Sequence, residues 1–169
     1  MNDDSTSQII CIGTAWVQGI ASAEEVPELP APGTDLQFSR RGLDSSLLTT
    51  LHIILRGITY TEVATAFRAE QPVDLGVRRV GSSLPVPDYA AHVYEFSAEF
   101  CNRLGELTPE RVKAIAQNWY ALQGHMGTSS RPGSVEYRTE IIQNLVAMAR
   151  VAEARGARLF LRAVYQPHP

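Results

Sequence analysis

Apolar residues recur at helical spacing in five stretches of this chain. After Asp44, a good N-cap, Leu47, Leu48, Leu51, Ile54 and Leu55 follow at three- and four-residue intervals, and Gly57 supplies a C-cap. Thr59 and Glu62 form a capping box for a short helix carrying Val63, Ala66 and Phe67. Asp88 reads as the cap of a third helix, with Tyr89, Val93, Phe96, Phe100 and Leu104 on its apolar face. Thr108-Pro109-Glu110 opens a fourth, with proline in the first turn and an acid near the positive end of the dipole, and Val112, Ile115, Ala116, Trp119 and Leu122 as its stripe. The fifth starts near Ser134, buries Tyr137, Ile141, Leu145, Met148 and Ala152, and stops at Gly156.

Two runs have strand character instead. Residues 8–17 are short, apolar and β-branched, and residues 159–165 carry apolar side chains on both faces, as a central or doubly covered strand would. Residues 19–38 hold Pro27, Pro30, Pro32 and Gly33 and are expected to be irregular. Residues 70–87 read as loop with a brief strand at 77–80, and Gly124–Gly133 as a loop ending the fourth helix. The expectation is a single α/β domain of the α+β type over residues 1–169. About five helices pack on a small sheet built from the N- and C-terminal strands, and residues 1–7 form a disordered tail.

Size and composition narrow the class. A chain of 169 residues can bury a sizeable core without disulfides or metals. A net charge of −3 argues against a general nucleic-acid binder. Cys11 and Cys101 are too few for a disulfide framework or zinc cage, and each lies in an apolar segment, where thiols act as small hydrophobes; the other reading is a catalytic cysteine. The acidic start is unlike a signal peptide, and no run reaches the 18 or so apolar residues of a membrane helix. A cytoplasmic address with no membrane association is expected. Lys113 is the single lysine among 15 basic residues, a bias read first as codon usage in a GC-rich bacterial genome, with arginine's bidentate grip on carboxylate or phosphate as the lesser reading.

Motifs mainly exclude. With Lys113 the sole lysine, no Gly-Lys-Ser/Thr phosphate loop exists, and there is no G-x-G-x-x-G, G-x-S-x-G, H-E-x-x-H or C-x-x-C. No cofactor is implied. His92, Glu95 and Glu99 have ligand-like spacing on the expected third helix, but they fall on its flank and read as a solvated acidic stripe, so no metal site is assigned. His52, between Leu51 and Ile53, reads as a core histidine or a catalytic one, and His125 as an exposed loop histidine. His52, His125, Cys11 and Cys101 are the catalytic candidates. Arg40, Arg41, Arg78 and Arg79, in or beside irregular segments, are the binding candidates for a phosphate or a partner's carboxylates. Trp16, Trp119 and Tyr120 read as core or interface residues, since no basic residues interleave with them.

Leu43-Asp44 followed by Leu51-His52-Ile-Ile-Leu55-Arg-Gly57 resembles a stretch of the YfbM-like family of uncharacterised bacterial proteins. Downstream, Leu107-Thr-Pro-Glu-Arg between helices and Ala152-x-x-x-Gly156 before a closing strand have a similar layout, so that the resemblance covers residues 43–165. It implies an α/β cytoplasmic protein without an established activity, and carries no functional residue across.

The leading functional expectation is a non-enzymatic protein-binding domain, such as an immunity-type inhibitor that occupies a toxin. An acidic inhibitor would be steered to a basic, nucleic-acid-attacking toxin. The alternatives are a small enzyme with a Cys/His site and a structural or self-associating protein.

Overall fold

The computed structural model describes residues 6–12, 37–41, 43–86, 89–125 and 134–165. In chain order the elements are β1 (Thr6–Ile12), β2 (Gln37–Arg41), α1 (Ser45–Arg56), α2 (Tyr60–Arg68), β3 (Val77–Val86), β4 (Tyr89–Phe96), α3 (Ala98–Gly105), α4 (Pro109–His125), α5 (Val135–Arg155) and β5 (Arg158–Tyr165). The five strands form one sheet in the order β2-β1-β5-β4-β3, with every neighbouring pair antiparallel. The α+β class holds, with five helices among the described residues. The sheet is larger than expected, because a hairpin from the middle of the chain extends the layer made by the terminal strands.

Local chemistry explains most helix ends. The Asp44 carboxylate accepts from Leu47 N at 2.8 Å, and Gly57 ends α1 in the left-handed conformation at φ 66°. The Thr59–Glu62 capping box of α2 is complete in both directions. Ser134 caps α5 at one end and Gly156, φ 59°, at the other. The end of α3 is closed from a distance: the Arg150 guanidinium on α5 donates to the carbonyls of Gly105 and Leu107 at 3.0 and 2.9 Å.

The expected helix over Tyr89–Leu104 is overturned. Tyr89–Phe96 is strand β4, and α3 starts at Ala98 with Ser97 as its N-cap, not Asp88. The apparent helical spacing joins two unrelated patterns. Tyr94 and Phe96 alternate onto the helical face of a strand, Val93 falls on the other, and Phe100 and Leu104 belong to the helix beyond. For the same reason the expected brief strand at 77–80 runs on to Val86, bulging twice where its register with β4 shifts. On β1 the strand begins at Thr6, inside the stretch expected to be a tail; residues 1–5 and 13–36, and so most of the proline-rich segment, lie outside the described residues.

Helix α5 is the spine of the core. Its Ile141, Ile142, Leu145, Met148 and Ala152 are buried against α3, α4 and the sheet. From its first turns the buried Arg138 guanidinium lies 4.3 Å from the Trp119 ring of α4, and burial pushes its pKa down to about 10, so that it stays charged at neutral pH. Strand β5 is central and covered on both faces: Leu159 and Leu161 join the main core, and Phe160, pointing the other way, is also buried. No described helix is long and apolar enough to cross a membrane. Leu161→Ala is expected to cost about 2–5 kcal/mol, because it opens a cavity in the central strand. A urea midpoint shift with unchanged slope measures it, and a loss below about 1 kcal/mol would show that the site collapses around the gap.

Candidate functional site

Three elements converge on His52. It sits in the middle of α1 with its side chain fully buried, its ring edge-on to Phe100 of α3 at 5.0 Å. Phe100 in turn lies parallel to Phe96 at 5.3 Å. Above the ring passes Gly76, φ 82°, so close that a Cβ there would meet His52 Cβ at 2.6 Å and Cγ at 2.7 Å. Glycine is required on both counts, clearance and conformation. The Gly76 carbonyl accepts from Ser97 N at 2.7 Å, which ties the start of α3 to the same point.

This crossing delivers two carboxylates to the imidazole. Asp74 Oδ1 accepts from Gly76 N at 2.7 Å, and its Oδ2 lies 3.6 Å from His52 Nε2. Glu99, in the first turn of α3, has Oε1 held by Arg103 Nε at 2.9 Å and by Arg56 Nε at 3.4 Å. The arginines also donate to backbone, Arg103 to Leu55 O and Arg56 to Asp74 O, so they are fixed rather than merely nearby. One ligand atom each from His52, Asp74 and Glu99 lies within 4.8 Å of the other two. Neither nitrogen of the buried ring has a hydrogen-bond partner among the described residues. Burial holds the His52 pKa below its ordinary 6.5, and the opposing pull of Asp74 and Glu99 does not overcome it.

A second feature lies on the sheet. Glu95 of β4 is flanked on the same face by Arg78 of β3, directly opposite, and Arg158 of β5, on the diagonal; it accepts from both. Two depressions, of about 600 and 440 Å³, meet at Glu95, Phe96 and Ala98. The larger carries Asp74, Arg78 and Arg79, and the smaller Cys101, Glu153 and Arg158.

The anticipated site residues are thus dispersed. His92 and Glu95 lie on β4 and Glu99 on α3, so the anticipated helical trio does not form: Glu95 serves the arginines, and Glu99 serves His52. Arg40-Arg41 and Arg78-Arg79 lie on β2 and β3, the opposite edges of the sheet, and do not make one patch. Cys101 is half-buried on α3. Cys11 is on β1 and His125 ends α4, with side chains outside the described residues; Trp16 and His168 lie wholly outside them. Trp119 is buried core, as expected, and Tyr120 exposed. Asp74, Arg56 and Arg103 had no mark in the sequence, because their role comes from a crossing of segments that spacing along the chain does not encode. No protein-family model matches the chain, and no curated protein or solved structure is significantly similar to it.

Two outcomes follow from the crossing. The unfolded chain protonates His52 near pH 6.5 while the folded one resists, so stability is full above 6.5 and falls as pH drops below it. In chelator-treated protein, His52→Leu should flatten part of this slope; His92, also held low by its surroundings, retains the rest. An unchanged slope in the variant would remove the buried imidazole as its source. Gly76→Ala should lower stability by about 2 kcal/mol or more, through the clash and the left-handed backbone together, as read by denaturant midpoint.

Proposed function

We propose that this chain is a protein-binding domain, of the kind that neutralises a toxin by occupying it, and that it binds through the trough centred on Glu95. The observation that carries the reading is Arg78. Its side chain is 80% exposed at the rim, yet its guanidinium is already held at 3.1 Å by Glu95, itself only 14% exposed. An arginine held in place by a strand-fixed carboxylate gives up little freedom on binding, and arginine is over-represented among residues that dominate interfaces. Around it, charges of both signs rim a floor that includes Val73, Val77 and Ala98, the arrangement of an apolar centre with a polar edge. The partner presents a carboxylate to Arg78 and an apolar side chain to the floor. The net charge of −3 favours encounter with a basic protein, as expected of a toxin that acts on nucleic acid.

The layout also supports kinship with the YfbM-like proteins: a helix ending in Leu55-Arg-Gly57, the Thr108-Pro109 helix start, and a last helix ending at Gly156 before a strand. That kinship adds no activity to the reading.

The test is affinity capture from the source organism with the wild-type chain and Arg78→Ala, in which Arg158 still holds Glu95. Wild type should retain one near-stoichiometric protein partner, and the variant should bind it about ten- to thirtyfold more weakly. A partner bound equally by both places the interface elsewhere. No partner under native conditions refutes the binding role.

A further inference from the structure

We propose that His52, Asp74 and Glu99 form a binding site for one first-row divalent transition-metal ion, with zinc as the natural probe. The reading is independent of the trough interface. It starts from a full burial that leaves both imidazole nitrogens without a hydrogen-bond partner among the described residues. A buried polar group in that state is costly unless something else satisfies it. The separation of His52 Nε2 from Asp74 Oδ2, 3.6 Å, is too long for a hydrogen bond. It lies close to the roughly 3.0–3.4 Å that separates two ligands of one ion bound at about 2.0–2.2 Å.

The carboxylates are arranged as ligands are. Each has one oxygen engaged by the protein, Asp74 Oδ1 by the Gly76 amide and Glu99 Oε1 by a hydrogen bond from Arg103 and an ion pair with Arg56, and no donor among the described residues reaches the second oxygen of either. Outer-shell donors of this kind orient a metal-binding carboxylate and set its basicity. The three ligands come from α1, the segment before β3, and the first turn of α3, so a bound ion would join all three. Asp74 and Glu99 are 31% and 38% exposed, which gives an ion a path in and leaves a coordination position for water.

The arginines decide which ion. Arg56 and Arg103 balance the two carboxylates, so the site has no excess negative charge with which to attract a hard cation. Affinity must come from coordination, above all from the imidazole nitrogen, which favours zinc and its neighbours over magnesium or calcium.

The experiment is calorimetric titration of zinc into chelator-stripped full chain. One ion per chain is expected, with a concentration-dependent rise in melting temperature. Asp74→Asn and Glu99→Gln should each weaken zinc by about tenfold or more, since changes to outer-shell groups alone already cause losses of that size. Glu95→Gln, on the sheet, should leave it unchanged. Magnesium at the same concentrations should give no heat. The X-ray absorption spectrum of zinc-loaded wild type should show one imidazole and oxygen ligands without sulfur, a readout that does not depend on any variant folding. Absence of binding to wild type, sulfur in the spectrum, equal response to magnesium, or affinity indifferent to Asp74→Asn and Glu99→Gln would each overturn the site.

Discussion

The approach of Gly76 to His52 is the constraint on which the arrangement of this fold depends. With no side chain at Gly76 the segment before β3 can lie directly on α1, and its carbonyl can receive the first amide of the α3 cap. Three elements that are distant in sequence are therefore fixed to one another at a single point. The consequences reach outward from there. Asp74 is two residues before the glycine and Glu99 two after Ser97, so the crossing that packs the helices also sets the carboxylates around the imidazole. Arg56 and Arg103 hold the same point from the outside, Arg103 also donating to Leu55 O at the end of α1 and Arg56 to Asp74 O.

Across the sheet, Glu95 plays a comparable part with different means. Its two arginines come from the strands on either side, so one carboxylate spans β3, β4 and β5. Exposed ion pairs contribute little to stability, and the value of this one is better seen as geometric. It keeps Arg78 extended at the rim of a concavity rather than collapsed on the surface. The buried site and the sheet trough adjoin through Asp74, which belongs to both, but they rest on separate residues otherwise.

Much of this architecture was legible in the sequence wherever local chemistry decides structure. Asp44, the Thr59–Glu62 box, Pro109, Ser134 and the glycines at 57 and 156 mark helix boundaries that the fold respects, because caps act within one turn of the chain. The doubly apolar pattern of residues 159–165 correctly indicated a central strand. The stretch Tyr89–Leu104 misleads because its spacing joins apolar positions from both faces of a strand, Val93 and Phe96, to the buried face of the next helix, Phe100 and Leu104; Ser97, with an acid two residues on, is the local signal that separates strand from helix. The candidate site was legible only in part. His52 stood out by its apolar neighbours, and Glu99 was noticed, though with the wrong companions. Asp74, Arg56 and Arg103 gain meaning from a tertiary crossing that leaves no periodic trace, and Gly76 lies within the 70–87 stretch that reads as loop.

The strand order carries a further implication for how the chain is made. β1 with β2, and β3 with β4, are pairs that can form as soon as each is synthesised. What unites them is β5, which lies between the two pairs and follows all of them in sequence. On the ribosome the five-stranded sheet therefore cannot close until the central strand emerges. The end of α3 likewise gains its Arg150 donors only when the helix just before that strand is made. Until β5 is available the layer cannot be joined, and any strand edges formed before then are open to other chains.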